Sequence, residues 1–163
     1  MFGRRKKQQI ELIDDPKIYA PLDGEVLDLS VVPDPIFAQK KMGDGFAIKP
    51  TGNKIYSPVA GSVIMKEGHA VAFRRLDGLE VLLHFGLDTV GLTPSPVRLK
   101  VAVGDVVEPG QEIGKADWLR VEAKGLSIMT MVILTNSSEK LEKLEIDYRE
   151  AQATELLGEA IAK

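Results

Sequence analysis

The chain has 163 residues, of which 44% are hydrophobic and 28% are charged, and this composition is typical of an ordinary globular domain. It contains no cysteine, which excludes disulfide frameworks, thiolate metal sites and cysteine nucleophiles and is compatible with a cytoplasmic location. The net charge of −3, without a basic stripe interleaved with aromatic residues, argues against nucleic-acid binding.

The N-terminal segment carries a basic cluster, Arg4 to Lys7, without an apolar stretch of signal-peptide or membrane-spanning length behind it. We therefore expect a flexible basic tail over residues 1–17, which could make at most a weak contact with a membrane surface. No linker divides the rest of the sequence, so residues 18–163 are expected to form a single domain.

Short apolar runs broken by glycine, proline or aspartate extend from Ile18 to Leu134 and predict an all-β sandwich or barrel. The segments "YAPLDGEVLDL" (19–29) and "YSPVAGSVIMK" (56–66) share the pattern Tyr-x-Pro-x-x-Gly-x-Val, which indicates a duplicated β unit. A third segment, "VAVGDVVEPGQEIGKAD", alternates valine-rich strands with Gly-Asp and Pro-Gly turns.

The two histidines of the chain, His69 and His84, flank the strongest hairpin signal in the sequence, Asp77-Gly78. A two-residue turn there would pair Val71 with His84 and place both histidines on one face of the hairpin. The same register puts an apolar ring around the two imidazoles. This ring consists of Val71, Phe73 and Leu82, while Val81, Leu83 and Phe85 face the core.

Two imidazoles on one hairpin face could be structural, could bind a metal, could handle protons or could carry a phosphoryl group, since neutral imidazole is nucleophilic near pH 7. The residues alone leave these possibilities open.

Towards the C-terminus, "TNSSEKLEKLEI" (135–146) predicts a short surface helix with Leu141 and Leu144 at helical spacing. The secondary structure of "REAQATELLGEAIAK" (149–163) is left open because Gly158 interrupts its helical propensity.

Several stretches resemble the glucose-class enzyme IIA of the bacterial sugar phosphotransferase system, in order from about Ile18 to Asn136. They are "APLDGEV", "VPDPIFAQKKMGDGFAIKPTGNKIYSPVAGSV", "GHAVAF" and "LEVLLHFGLDTVGL". The resemblance implies a flattened antiparallel β-sandwich that accepts a phosphoryl group from the phosphocarrier HPr and passes it to a cysteine on the IIB domain of a sugar permease.

The resemblance also implies roles for individual residues. His84 would accept the phosphoryl group and His69 would hydrogen-bond it. Asp34 and Asp88 match an acidic pair that flanks the site, and Phe37 matches an aromatic residue of the docking surface. No cofactor or metal would be required.

Two departures from the family pattern concern the surroundings of these residues. Glu67 stands where the family commonly has a hydroxyl residue, two positions before the first histidine, and this leaves the partner of His69 unassigned. The segment "LTPSPV" (92–97) replaces the usual glycine-rich turn.

Three other kinds of protein share parts of this sequence pattern. A catalytic zinc hydrolase needs a further histidine, although His69 and His84 could share zinc with a partner's carboxylate. The segment "VGDVVEPGQEIG" is typical of biotinyl or lipoyl carriers, but Asp77-Gly78 replaces the exposed lysine at the hairpin tip. A regulatory module, in which the unphosphorylated apolar face binds permeases or metabolic enzymes, would use the same surface as the phosphorelay.

Overall fold

The regular structure of the computed structural model, which describes residues 10–163, consists mainly of strands in three antiparallel sheets. The largest sheet has eight strands in the order β13-β2-β3-β11-β7-β6-β5-β9, and the smaller sheets have the orders β1-β14-β12 and β4-β10-β8. The strands are β1 (Lys17–Tyr19), β2 (Gly24–Asp28), β3 (Asp44–Pro50), β4 (Lys54–Tyr56), β5 (Gly61–Lys66), β6 (Ala70–Arg74), β7 (Glu80–His84), β8 (Val97–Leu99), β9 (Val106–Val107), β10 (Glu112–Ala116), β11 (Thr130–Leu134), β12 (Leu141–Ile146), β13 (Glu150–Ala151) and β14 (Leu156–Ala162).

Helical segments are short. They are α1 (Pro35–Ala38), α2 (Trp118–Ala123), α3 (Ser137–Lys140) and two 3-10 turns at Leu29–Val31 and Thr89–Gly91. None of the helices within residues 10–163 is long and apolar enough to cross a membrane. The prediction of an all-β sandwich with short helices is confirmed.

The eight-stranded sheet has apolar side chains on both faces, which alternate along each strand. One face packs against the two smaller sheets and forms the main core, with side chains such as Phe46, Phe73, Leu83 and Ile113. The opposite face carries a smaller cluster, in which Leu82 and Met131 of the sheet pack with short segments that include Leu29 of the first 3-10 turn and Phe37 of α1. This thinly covered face carries the candidate site.

The repeat seen in the sequence corresponds to a structural duplication. Strands β1 and β4 have the same sequence, Lys-Ile-Tyr, and the backbone N–H of Tyr19 donates to Pro58 O at 2.9 Å as that of Tyr56 donates to Pro21 O at 2.8 Å. A second correspondence links β9 and β10 to β13 and β14, because β9 pairs with β5 at one edge of the large sheet and β13 pairs with β2 at the other. The fold therefore contains two related halves. The C-terminal strands β13 and β14 complete the half that begins with β1 and β2.

The helix predicted for residues 135–146 is mostly wrong. Only α3 is helical, and the segment from Leu141 continues as strand β12 beside β14. A bulge between Leu141 and Lys143 adds one residue to the strand, so Leu141 and Leu144, three apart, both pack against the main core. Two apolar residues three positions apart face the same side both in a helix and in a strand with such a bulge, so this spacing alone does not distinguish the two.

The predicted N-terminal tail overlaps the described residues only in part. The basic cluster from Arg4 to Lys7 lies outside them. Strand β1 begins at Lys17, the last residue assigned to the tail, and pairs with β14.

Candidate functional site

The hairpin that carries His84 differs by one residue from the predicted register. Ala70 pairs with His84 and Arg74 with Glu80, so five residues rather than two connect the strands. Arg75 explains the longer connection: its side chain is buried, and its guanidinium binds the Asp77 carboxylate and donates to the carbonyl of Ala160 at 2.8 Å.

The shift changes which residues accompany the histidines. Val71 and Phe73 are fully buried in the main core, on the face opposite to the His84 side chain. Their prediction as partner-binding residues is therefore wrong. Leu82 does lie on the His84 side, but it is buried beneath the segments that cover this face. Leu82 supports the site from below.

His69 and His84 nevertheless lie side by side. Their ring centroids are 5.1 Å apart with an interplanar angle of 74°. His69 precedes the first residue of β6 and lies in the turn after β5, where its carbonyl accepts the N–H of Phe85 at 2.8 Å. The prediction that the two histidines share a surface is confirmed. The register argument for it fails, because His69 lies in a turn and strand alternation does not determine where its side chain points.

The orientation of the His84 ring is fixed by a glycine carbonyl. Nδ1 of His84 lies 2.9 Å from Gly86 O, and because a carbonyl can only accept, Nδ1 carries the proton. In the neutral ring Nε2 then holds the lone pair. Gly86 has φ +75°, and a Cβ there would lie 2.7 Å from Thr89 Cγ2 and 2.8 Å from Ser127 O. Thr89 and Ser127 therefore fill the space that a side chain at position 86 would need.

The surroundings of His84 favour the neutral ring. Burial lowers its pKa below the ordinary value of 6.5, and the charge of His69 lowers it further. The hydrogen bond to Gly86 and the charges of Asp34 and Asp88 act in the opposite direction without cancelling the first two causes. A lone pair is therefore available on Nε2 at neutral pH.

Asp34, Asp88 and Phe37 surround this ring, at the positions that the sequence motifs suggested. The Phe37 ring centroid is 5.1 Å from that of His84, at an interplanar angle of 58°. The Phe37 side chain is buried, so, like Leu82, it supports the site and does not form its docking surface as predicted. Asp34 caps α1, where its carboxylate accepts the N–H of Ile36 at 2.9 Å. Asp88 is exposed, has a left-handed backbone with φ 59°, and precedes the second 3-10 turn.

Three exposed apolar residues on the same segments were missed by sequence reasoning. Val31 is 50% exposed, Ile36 is 48% exposed and Val90 is 72% exposed. Each lies within a few residues of Asp34, Phe37 or Asp88 in the chain. Ile36 and Val90 lie inside the two quoted motifs and Val31 directly precedes one of them, which could have drawn attention to all three. We call these three residues the apolar rim, and exposed apolar side chains of this kind are suited to protein contact.

Ser95 was also missed, although it lies in the segment that departs from the family pattern. Its hydroxyl donates to the carbonyl of Gly68, the residue before His69. Glu67, by contrast, is exposed, and its backbone N–H donates to Ala70 O at 2.8 Å. The turn that holds His69 is thus braced by Ser95.

A metal site made by this chain alone is not evident among residues 10–163, where no group of three or more histidine, cysteine, aspartate or glutamate side chains could hold an ion.

Comparison with known proteins gives one family. Residues 16–140 match the family described as phosphoenolpyruvate-dependent sugar phosphotransferase system, EIIA 1. The chain is 39% identical over 141 residues to a PTS system glucose-specific EIIA component of Staphylococcus epidermidis, which covers 85% of this chain and 82% of that relative. It is 38% identical over 141 residues, with the same coverage of 85% and 82%, to the component of that name from Staphylococcus aureus strain COL.

A solved structure, glucose permease IIA from Mycoplasma capricolum, superposes with a TM-score of 0.79 at 32% identity and covers 87% of this chain and 93% of its own. The histidine pair on an antiparallel sandwich, the matched family and these relatives agree. The chain belongs to the EIIA 1 family of the phosphoenolpyruvate-dependent sugar phosphotransferase system, as a glucose-class enzyme IIA and a phosphotransferase component.

Proposed function

We propose that His84 accepts a phosphoryl group from phospho-HPr and passes it to a cysteine on the IIB domain of a sugar permease. The observation that carries this proposal is the bond from His84 Nδ1 to Gly86 O, which leaves Nε2 as the nucleophile. In the first transfer an Nε2–P bond forms while the bond from phosphorus to HPr breaks. In the second, the Nε2–P bond breaks, a S–P bond forms, and the thiol proton leaves to solvent.

His69 is proposed to stabilise the transferred group. Its ring is in edge contact with that of His84, so an N–H of His69 is within reach of a phosphoryl oxygen attached to the neighbouring ring. Phosphoryl transfer needs positioning and charge stabilisation more than covalent assistance. This division gives one imidazole the role of nucleophile and the other that of hydrogen-bond donor.

Asp34 and Asp88 are proposed to contact both protein partners. The two carboxylates lie close enough to His84 to oppose the lowering of its pKa, and they are suited to complement a basic partner surface. The exposed apolar rim would provide the centre of the contact, and the buried ring of Phe37 would support it from beneath. The same surface supports a second candidate function, a regulatory module that binds permeases or metabolic enzymes until a phosphate dianion is added to it.

We also propose that the protein acts in the cytoplasm and requires no metal. Zinc shared with a partner is a further possibility that the histidine pair allows. Two imidazoles supply half of a tetrahedral site, so the remaining ligands would have to include a carboxylate from the other protein.

The test is phosphorylation by phosphoenolpyruvate, enzyme I and HPr. His84→Gln should abolish incorporation of phosphate, because the nucleophile is removed. His69→Gln should still accept the group but pass it on more slowly, by about a hundredfold or more for loss of a transition-state donor. Glu67→Gln, an exposed neighbour of this turn, serves as the control and should behave as wild type. Phosphate retained in His84→Gln and lost in His69→Gln would reverse the assignment.

A further inference from the structure

A row of three cations crosses the small sheet β4-β10-β8, away from the histidine pair. Lys115 of β10 is in direct register with Lys54 of β4 on one side and with Arg98 of β8 on the other. All three side chains are exposed. Like charges placed directly opposite on neighbouring strands destabilise a sheet, so the row has a cost that the fold must carry.

The fold itself does not require this row, as its internal copy shows. In the related sheet β1-β14-β12, the corresponding row consists of Lys17, Glu159 and Glu145, paired in the same way. One positive and two negative charges stand there in place of three positive charges. The same architecture is therefore stable with a different charge pattern.

Nothing in the described part of the chain neutralises the row by direct ion pairing. No carboxylate of residues 10–163 forms a salt bridge with Lys54, Lys115 or Arg98. Glu112, on the same sheet, is paired with Lys100. The hydrogen bond from Lys100 lowers the pKa of Glu112 most, and Lys54 and Lys115 also lie near enough for their charges to lower it. Glu112 nevertheless forms its ion pair with Lys100, so the three cations keep no direct ion-pair partner among the described residues.

Two members of the row, Arg98 and Lys115, line a cleft between this sheet and α2. The cleft has a volume of about 620 Å³ and is lined by Arg98, Lys115, Asn53, Arg120 and Asp117, among others. This volume is in the usual range for sites that bind small molecules.

Two charged groups lie in the wall of the cleft, Arg120 of α2 and Asp117, the residue that caps this helix. Arg120 donates to Pro94 O at 2.6 Å and to Ser95 O at 3.4 Å, so its charge is not matched by a carboxylate in either bond. Asp117 contributes one negative charge and accepts the backbone N–H of Arg120 at 3.3 Å. Positive charge therefore exceeds negative charge around the cleft.

We propose that this cleft binds a phosphate group carried by a small phosphorylated compound or by a lipid headgroup. Arginine can bind a phosphate through two parallel N–H donors, and lysine adds a mobile point charge. The asparagine amide and the concave shape favour one compact dianion over an extended polyanion. Leu119, 79% exposed at the start of α2, lies beside the cleft and gives a lipid source a point of apolar contact.

The decisive variant is Lys115→Glu, which gives the row alternating charges like those of an ordinary cross-strand pair. It should weaken binding of inorganic pyrophosphate, followed by titration calorimetry, by about tenfold or more, the equivalent of one charged hydrogen bond. It should also raise the unfolding temperature, because repulsion is replaced by attraction. Lys163→Glu makes the same charge change at another exposed residue and should leave both quantities near their wild-type values.

Sedimentation with vesicles separates the two sources of phosphate. Binding of pyrophosphate without binding to phosphatidylcholine vesicles that contain phosphatidic acid assigns the cleft to a soluble compound. Binding to those vesicles, but not to phosphatidylcholine alone, assigns it to a headgroup, provided that Lys115→Glu removes it. Absence of both, or equal losses in Lys115→Glu and Lys163→Glu, would overturn the proposal. The His84→Gln variant should bind as wild type, so the outcome does not depend on the relay.

Discussion

The pKa of His84 is set by opposing influences that can be separated by substitution. Burial and His69 lower it, whereas the carboxylates of Asp34 and Asp88 raise it. Replacing both aspartates by asparagine should therefore move the pKa further below 6.5. An NMR titration of the imidazole resonances measures this directly, and an unchanged or raised pKa in the double variant would contradict the arrangement.

The same shift has a consequence for stability. Because the pKa of His84 is lower in the folded protein, the unfolded chain binds more protons in the acidic range. The contribution of neutral His84 to stability is therefore complete above pH 6.5, the ordinary pKa, and is lost as the pH falls through the folded value. The neutral, nucleophilic form of the His84 ring is likewise retained as the pH falls from 6.5 towards the folded-state pKa.

Individual residues of the site could be predicted where a motif fixed them. His84, His69, Asp34, Asp88 and Phe37 are brought together by the structure as their motifs suggested. Their chemical roles stay predictions. The exposed apolar rim and Ser95 were missed because exposure and a contact with Gly68 depend on how distant segments pack, which no local pattern records.

At the scale of elements, the β6–β7 hairpin shows how one residue can reverse a conclusion. Asp77-Gly78 has the composition of a two-residue turn, but Arg75 is drawn inwards to bind Asp77 and the carbonyl of Ala160. That carbonyl belongs to β14, far away in the sequence. The register is decided by this tertiary contact, and it moves Val71 and Phe73 into the core.

The turn after β7 offers a test of how an element holds the nucleophile. Gly86→Ala should destabilise the protein by about 2–4 kcal/mol, since alanine resists a left-handed backbone and its Cβ would overlap Thr89 and Ser127. The displaced carbonyl should also release His84 Nδ1 and slow phosphorylation. Denaturant unfolding and the phosphorylation assay measure the two effects.

Gly91→Ala is the matched control for this turn. Gly91 ends the adjacent 3-10 segment, and a Cβ there would meet nothing within 4 Å. Its replacement should change stability by less than about 0.5 kcal/mol, as is usual for surface substitutions. Equal losses in Gly86→Ala and Gly91→Ala would show that packing around Gly86 is not what fixes the turn.

At the scale of the whole molecule, duplication explains why the large sheet can carry the site at its centre. Strand β7 lies between β11 and β6, and the two related halves supply the edge strands β13 and β9. Most apolar side chains are buried against the small sheets, so the opposite face needs only short segments to cover it. The duplicated N-terminal strands were predictable from their shared motif, whereas the C-terminal copy has diverged to a helix-like composition.

The negative charges of Asp34 and Asp88 should affect docking of the protein partner more than the phosphoryl transfer itself. Asp34 and Asp88 would repel a phosphate dianion on His84, and their presence is explained if they attract a basic partner surface during docking. Replacing both by asparagine should slow phosphoryl transfer from HPr strongly at low salt and only weakly at high salt. Exposed charges are screened over about 10 Å at 0.1 M salt, so the difference should fade as salt is added.

The comparison requires a control with the same change of net charge. Asp14→Asn with Glu122→Gln removes two exposed carboxylates outside the His84 surface and should transfer at the wild-type rate at every salt concentration. Stopped-flow or quenched-flow measurement of transfer from phospho-HPr over a series of salt concentrations gives the rates. If the Asp34 and Asp88 variant matches wild type throughout, the two aspartates are solvated turn residues. If it is slowed equally at low and high salt, they act on the bound transition state and not on the encounter.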